Sequence, residues 1–372
     1  MKILLIGEYS NVHNTLELGL RALGHEVCVV SNGDFWKNYP RDIDVSRPEG
    51  RWGGLRLMAR LWTLLPKMRG YDVVQLINPM FFELKAERLF QFYRYLRKHN
   101  KKVVLGAFGM DYYWVYACIH DKPLRYSDFN FGEELRTDEV ALRERRDWIG
   151  TAKERLNKLI AMDCDGIVTG LYEYQACYQL YFPKKTRFIP YPMMIPEGTE
   201  NRKQEPADKP QPLMIFIGIS RQRSVYKGTD IMLKAAEDIV EKYPGLAVLN
   251  KAEGVPFDTY QQMMNQADVL LDQLYAYTPA MNALLAMSKG IVVVGGGEPE
   301  NYDILNEKEL RPIVNVHPCY ESVYEALEQL VTHPENIDAL KQQSIEYIRR
   351  HHDYKKVAQQ YIDFYTNITN NN

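Results

Sequence analysis

The strongest constraint in this chain is a repeat of strand-length apolar runs without polar alternation, each followed by residues at helical spacing. Lys2–Ile6 reads Lys-Ile-Leu-Leu-Ile. A strand that is apolar on both sides needs cover on both faces, as the strands of a parallel sheet have. Thr15–Leu23 then places apolar residues at helical spacing, Gly24-His25 stops the helix, and Glu26–Val30 is a second buried strand. Parallel strands require such a crossover, so the first 35 residues predict one β-α-β unit. Val73–Ile77, Glu83–Arg97, Lys102–Leu105, Gly166–Thr169, Glu173–Tyr181 and Arg187–Ile189 repeat the rhythm.

The rhythm breaks once. Pro190–Pro212 holds six prolines and a run of charges (Glu197, Glu200, Arg202, Lys203, Glu205, Asp208, Lys209), with no apolar period after Ile195. This composition reads as a linker. Strands at Leu213–Ile217, Leu246–Leu249, Val269–Leu271, Ile291–Val294 and Ile313–Val316 then alternate with helices at Thr229–Lys242, Thr259–Gln266, Met281–Ser288 and Val323–Leu330. The tail from Ile337 to Tyr365 is helical, with a break around His351-His352-Asp353. The expected fold class is α/β, with two Rossmann-like doubly wound domains facing across a cleft. Residues 1–192 form the first domain, 193–212 the linker and 213–352 the second domain, with 353–372 packing back onto the first. Sheets of this kind bind ligands beyond the carboxyl ends of their strands.

Composition removes other classes. With 46 Lys/Arg against 48 Asp/Glu, the formal charge of −2 excludes nucleic-acid binding by bulk charge. No apolar run approaches the roughly 18–20 residues of a membrane span. The start, Met1–Ile6, is too short for a signal peptide and runs into a folded pattern, so a cytoplasmic protein is expected. The five cysteines are scattered and form no C-x-x-C, which predicts buried reduced thiols. No metal site is expected. His351 and His352 are adjacent on a helix, point about 100° apart and read as a solvated pair.

No G-x-G-x-x-G follows the first strand, where Gly7-Glu8-Tyr9-Ser10-Asn11-Val12 has a single glycine, and no Walker A motif is present. Gly295-Gly296-Gly297 could line a ligand with three N–H groups or form a plain tight turn. The clearest motif is Gly218-Ile-Ser220-Arg221-Gln-Arg223-Ser-Val-Tyr226-Lys227-Gly228-Thr229, between the second domain's first strand and first helix. Arginine forks and a lysine beside a helix N-terminus are what a diphosphate needs. A solvated basic loop is the plainer reading.

Here the second half resembles the retaining GT-B-fold glycosyltransferases of family 4 (group 1). Their pattern is a strand, a Gly, an Arg, then Lys-Gly opening a helix. Tyr260, Ala267-Asp268-Val269, Ala283–Val293 and Pro312–Asn315 also look like segments of that family. The first half is similar more loosely, in the Gly7 loop, Leu23–Val27 and Phe188-Ile189-Pro190. The resemblance implies transfer of a sugar from a UDP- or GDP-type nucleotide sugar, with retention, without a metal or other cofactor. Arg221 or Arg223, with Lys227, would stabilise the departing diphosphate. Lys251 to Pro256, Val255 included, matches where the family holds the base. The family's two glutamates, eight positions apart, read Tyr277 and Leu285 here. Glu298 or Glu300 substitutes for them, or nucleotide binding differs, or activity is lost. Asn282 makes a polar contact or caps its helix.

Acceptor and sugar contacts are expected from the first domain. Glu8, Ser10, His13 and Asn14 form one polar loop, and Gly109–Tyr112 with His120-Asp121 another. His120 is the histidine placed like the family's donor-sugar contact, or a surface histidine. Asp111 is an acceptor base or a helix N-cap. The aromatic and polar stretch from Tyr112 to Trp148 suits sugar stacking or an inserted helical layer.

Charge is unevenly spread. Residues 51–102 carry twelve Lys/Arg and three Asp/Glu, a net of +9 in a chain of −2. Arg56, Arg60, Lys67 and Arg69 alternate with Leu55, Leu57, Leu61, Trp62, Leu64 and Leu65, a pattern found in helices lying on anionic membranes or on an ordinary sheet. The chain therefore reads as a glycosyltransferase acting on a glycan or lipid-linked acceptor, in polysaccharide (capsule) or glycolipid biosynthesis, peripheral on the inner face of the membrane through 51–69. The rival readings are a sugar-nucleotide epimerase or hydrolase on the same fold, and a non-catalytic module that binds a glycan or a partner.

Overall fold

A computed structural model describes residues 1–196 and 211–370 of the chain. The centre of the expected linker, 197–210, lies outside the described residues. The chain divides into two units: Met1–Arg125, Leu142–Pro192 and Tyr354–Asn372 form the first, and Tyr126–Ala141 with Met193–Asp353 the second.

The first unit is built on β1 (Lys2–Ile6), β2 (Glu26–Ser31), β3 (Ile43–Asp44), β4 (Val73–Leu76) and β5 (Lys102–Ala107). After the small hairpin β6 (Asn130–Phe131) and β7 (Glu134–Leu135) of the second unit come β8 (Gly166–Thr169) and β9 (Thr186–Phe188). The sheet runs β3-β2-β1-β4-β5-β8-β9 and is parallel throughout. Ile3, Leu4, Leu5 and Ile6 are all fully buried, which is why β1 has no polar alternation. Its helices are α1 (Val12–Ala22), α2 (Gly53–Leu64), α3 (Ala86–His99), α4 (Tyr112–His120), α5 (Glu139–Trp148), α6 (Ala152–Asp163) and α7 (Tyr172–Tyr181), of which α5 starts in the second unit.

The second unit has β10 (Leu213–Ile219), β11 (Ala247–Glu253), β12 (Val269–Leu271), β13 (Val292–Gly295) and β14 (Ile313–Asn315), ordered β11-β10-β12-β13-β14 and again parallel. Its helices are α8 (Ser224–Lys227), α9 (Thr229–Lys242), α10 (Phe257–Asn265), α11 (Met281–Ser288), α12 (Pro299–Ile304), α13 (Tyr320–Thr332) and α14 (Ile337–Tyr347). Ile215, Ile217, Val269, Leu271, Val292 and Val294 pack with Met232, Ala235, Ile239, Val323 and Leu327 of α9 and α13 as one core.

The last helix, α15 (Tyr354–Asn370), follows a π-helical turn at Ile348–His352 and packs on α1. Gly19 permits this approach, since a Cβ there would lie 2.3 Å from the Tyr354 carbonyl oxygen. Its buried Tyr365 donates to Gln75 on β4.

Three expectations need correction. His351 and His352 are not a solvated pair: His352 is buried, and the His351 Nε2 is 2.6 Å from Glu307. That contact, Arg350 and the Leu310 and Glu309 N–H groups hold the Glu307 carboxyl down to about 2, against the burial that pushes it up. The cysteines are reduced, yet not all are buried: Cys28 is half-buried and Cys319 exposed at the start of α13. The stretch 112–148 is no single helical layer, because α4 ends at His120 and a β-hairpin intervenes before α5.

Candidate functional site

Strand order reverses at β1/β4 in the first sheet and at β10/β12 in the second. In doubly wound sheets the binding crevice opens beyond the carboxyl ends at that point. Both switch points carry the polar loops singled out in the sequence.

In the second unit, Gly218 near the end of β10 admits the Tyr260 ring, which would lie 2.8 Å from any Cβ there. A 3-10 turn, Arg221–Arg223, and α8 follow. The Arg223 side chain is exposed, Lys227 is half-buried, and the Arg221 side chain lies outside the described ones. Gly228 then turns with φ +73, a left-handed conformation that favours glycine, and α9 begins. The loop is tied down: the Leu274 N–H donates to the Lys227 carbonyl at 3.0 Å, and the Ser224 and Thr229 hydroxyls are 2.9 Å apart.

A polar chain lies beneath it. The Tyr260 hydroxyl donates to Asn282 Oδ1 at 3.1 Å, and the Asn282 amide donates to Asp272 Oδ1, also at 3.1 Å. Asn282 is thus a polar link just inside α11, and it is not that helix's cap residue, which is Ala280. Burial pushes the Asp272 carboxyl up, with the Lys227 charge and the Asn282 amide pulling against it.

The glycine triplet resolves as packing. A Cβ on Gly296 would meet the Ala276 carbonyl oxygen at 2.3 Å, and one on Gly297 would meet Ile313 at 2.8 Å. The Gly297 N–H is taken by Asn315 Oδ1 at 3.0 Å. Glu298 precedes α12 and is only 3% exposed, and Glu300 sits half-buried in that helix's first turn.

Sequence reasoning missed a further contributor. Tyr126–Ala141 belongs to the second unit and reaches this same end of the sheet. The Tyr126 hydroxyl donates to Glu298 Oε1 at 2.6 Å. Its ring lies 4.7 Å from that of Tyr277 at 34°, and its N–H donates to the Tyr277 hydroxyl at 3.3 Å. The Tyr226 hydroxyl donates to Asp128 Oδ2 at 2.7 Å. Burial raises the Asp128 carboxyl, against that hydrogen bond and the charges of Arg223, Arg136 and Lys227. Arg136 donates to the carbonyls of Val225 at 2.8 Å and Tyr226 at 3.1 Å, with its guanidinium 3.9 Å from the centre of the Tyr275 ring. Lys251 and Val255 lie at and just beyond the carboxyl end of edge strand β11, where Lys251 is opposite Ile217 of β10 and pairs with Glu237 at 3.0 Å.

In the first unit, Gly7 turns with φ +87 against Ile77, whose Cγ2 would lie 2.2 Å from a Cβ. Gly7 thereby serves the packing of β1 on the β4 end. Glu8 is 2% exposed. Its Oε2 accepts the Asn14 N–H at 2.8 Å, capping α1, whose cap residue Asn11 makes no such bond. Its Oε1 has no partner, nor do the side-chain oxygens of Asn11 and Asn14. Burial pushes the Glu8 carboxyl up to about 7, against the backbone N–H groups of Asn14, His13 and Val12. His13 is held down at about 4 by burial and is neutral. The Gln75 amide donates to its Nε2 at 3.1 Å, which leaves Nδ1 to donate to the Gly7 carbonyl at 2.8 Å.

Asp111 is fully buried and caps α4. It accepts from the Trp114 N–H at 2.9 Å and the Tyr178 hydroxyl at 2.7 Å, and burial pushes it up to about 7. His120 is exposed at the end of α4, its ring 4.3 Å from that of Tyr116. Among the described residues no three His, Cys, Asp or Glu side chains gather into a metal-holding group.

No protein-family model and no curated protein matches the sequence. Solved structures do match in fold. A sucrose-phosphate synthase from Thermosynechococcus elongatus aligns with a TM-score of 0.62 at 14% identity, over 99% of both chains. The catalytic domain of starch synthase IV from Arabidopsis thaliana, bound to ADP and acarbose, aligns at 0.58 and 11%, over 99% of both. A UDP-GlcNAc 2-epimerase from Neisseria meningitidis, bound to UDP-GlcNAc, aligns at 0.54 and 10%, over 99% of this chain and 100% of that one. At such identities the likeness is one of fold: two Rossmann-like units of the GT-B type.

Proposed function

We propose that the chain transfers a sugar from a nucleotide diphosphate sugar to a glycan or lipid-linked acceptor. The observation that carries this reading is the Lys227 loop: Arg223, Lys227 and the positive end of α9 gather where β10 and β12 part. A leaving diphosphate gains charge in the transition state, and cations fixed at that point stabilise it more than the ground state. Arg221 is a second arginine for the same task. The Glu298 carboxylate, with Glu300 behind it, takes the ribose hydroxyls in place of the glutamates that Tyr277 and Leu285 replace. Retention of configuration, independence of metal and a UDP- or GDP-type donor belong to this proposal, which the fold likeness to glycosyltransferases supports at the level of the reaction class. Glu8, Asn14 and His120 are assigned to acceptor and sugar hydroxyls, and Asp111 holds α4 behind them.

A second reading, a sugar-nucleotide epimerase or hydrolase, draws on Glu8 and Asp111, two buried carboxyls raised to about 7. It also draws on the fold likeness to the 2-epimerase.

Thermal-shift titration with UDP, GDP, ADP and their sugars tests the main reading. A nucleotide should stabilise the protein, and Lys227→Ala should lose that stabilisation and about 100-fold or more in transfer rate. An unchanged shift in Lys227→Ala removes the diphosphate site. Donor consumed at equal rate with and without acceptor favours the second reading.

A further inference from the structure

We propose that Tyr126–Asp128 is the head of a displaceable strap that occupies the nucleotide end of the second unit with side chains standing in for the ligand, so that donor binding is coupled to its release. This rests on the diphosphate reading of the Lys227 loop.

Each contact of the head reproduces one chemical demand of a nucleotide. Tyr126 lays a ring on Tyr277 and a hydroxyl on the Glu298 carboxylate, as a nucleoside lays a base on an aromatic and a ribose hydroxyl on an acid. Two positions on, Asp128 accepts from the Tyr226 hydroxyl at 2.7 Å and sets an anion near the Arg223 and Lys227 charges, where a phosphate would sit. The Tyr126 hydroxyl and the Asp128 carboxylate are spent on groups a donor needs, at Glu298 and beside Lys227, while Ser127 between them bonds Asn130 of the hairpin. Donor and head therefore compete for the same partners.

The head is held differently from its base. Arg136 grips the carbonyls of Val225 and Tyr226, pairs with Asp138 at 3.2 Å and covers Tyr275, none of which a diphosphate would compete for. Phe129 is fully buried, its ring 6.4 Å from that of Tyr226. The head is joined to the hairpin at Ser127, whose N–H donates to the Asn130 carbonyl at 2.8 Å and whose carbonyl accepts from Arg136 at 3.4 Å, so its release breaks these bonds as well as those to Glu298 and the Lys227 loop. Asp128 is also an imperfect occupant: it is a single, desolvated carboxylate near the Arg223 and Lys227 charges, to which a diphosphate brings more charge. A ligand that binds only the released state shifts the balance toward release and binds more weakly for doing so.

The test is calorimetric titration of UDP, GDP and inorganic pyrophosphate into the full chain and its Tyr126→Phe, Asp128→Asn and Lys227→Ala variants. Tyr126→Phe keeps the ring and removes the Glu298 bond without altering any charge, so its effect is separate from simple electrostatics. Tyr126→Phe should tighten nucleotide binding about tenfold and Asp128→Asn at least as much, while Lys227→Ala should bind none. Hydrogen exchange over residues 126–131 should rise when nucleotide is added to the wild type. Equal or weaker binding by Tyr126→Phe, with Lys227→Ala still inert, overturns the strap and leaves the diphosphate site standing. No binding by any form, the released variants included, overturns the diphosphate reading and the strap with it. Nucleotide binding that leaves exchange over 126–131 unchanged also overturns the strap.

Discussion

The Tyr365 hydroxyl donates to Gln75 Oε1 at 2.7 Å, joining two fully buried residues 290 positions apart in the chain. The bond continues inward, since the other end of the Gln75 amide donates to His13, and His13 to the Gly7 carbonyl. One line of hydrogen bonds therefore runs from the last helix to the turn after β1. It fixes the His13 tautomer and, through Gly7, the loop that carries Glu8. Tyr365→Phe leaves Gln75 Oε1 short of a donor in a dry interior, a loss of about 1–2 kcal/mol. Urea denaturation should show a lower midpoint with an unchanged slope. An unaltered midpoint would mean that α15 is held by its apolar contacts alone.

Glu8 and His13 titrate in opposite senses. The Glu8 carboxyl is raised to about 7 from an ordinary 4.5, so the folded state binds more protons than the unfolded one between those values, and stability falls as pH rises through that window. His13 is lowered to about 4 from 6.5, so below 6.5 the unfolded state binds more protons, and stability rises with pH up to that point. The two effects oppose each other between about pH 4.5 and 6.5, and only the Glu8 cost continues to pH 7. Glu8→Gln keeps an oxygen for the Asn14 N–H and removes the buried charge. It should be more stable than wild type by about 2–3 kcal/mol at pH 8, with the gap closing toward pH 5. Chemical denaturation at the two pH values measures it. A gap that is the same at both would show that Glu8 is ionised throughout.

The two sheets were legible because burial on both faces writes itself into short runs such as Ile3–Ile6 and Val292–Val294, whose meaning is local. The place of the Lys227 loop was legible for the same reason, since it directly follows the strand β10. Asp128 and Arg136 were not. They meet that loop from about 90 positions upstream, and a single carboxylate or guanidinium in a polar, aromatic stretch has no period to betray its partner. His351 was misjudged in the same way: Glu307, its partner, lies 44 positions away. The glycine triplet was left open between ligand cradle and tight turn. The deciding facts are the Ala276 carbonyl and the Ile313 side chain, which only the fold brings close.

The basic stretch 51–69 forms α2 and the turn after it, and its geometry sharpens what it can touch. Gly53, Leu57 and Leu61 are buried, which fixes the inner face. Trp52, Leu55 and Trp62 are 60%, 54% and 46% exposed. Their spacing of three and seven places all three on one outward face with Arg56 at its edge, while Trp62 also packs on Phe92, ring centres 5.2 Å apart, and Arg60 turns toward Asp44 at 3.7 Å. Exposed tryptophans with arginines suit the interfacial layer of an anionic bilayer, where each basic residue contributes about 1 kcal/mol and the rings sit at headgroup level. Among the described residues no helix is long and apolar enough to cross a membrane, so contact of this kind would lie on the surface. The protein should sediment with phosphatidylglycerol-containing vesicles and not with phosphatidylcholine alone. Reversal of Arg56, Arg60, Lys67 and Arg69 to Glu should abolish sedimentation, and raised salt should weaken it. Trp52→Ala with Trp62→Ala should weaken binding at every salt concentration, because the rings act by insertion and not by charge. Equal sedimentation by wild type and the charge-reversed variant would leave α2 as an ordinary helix with a basic outer face.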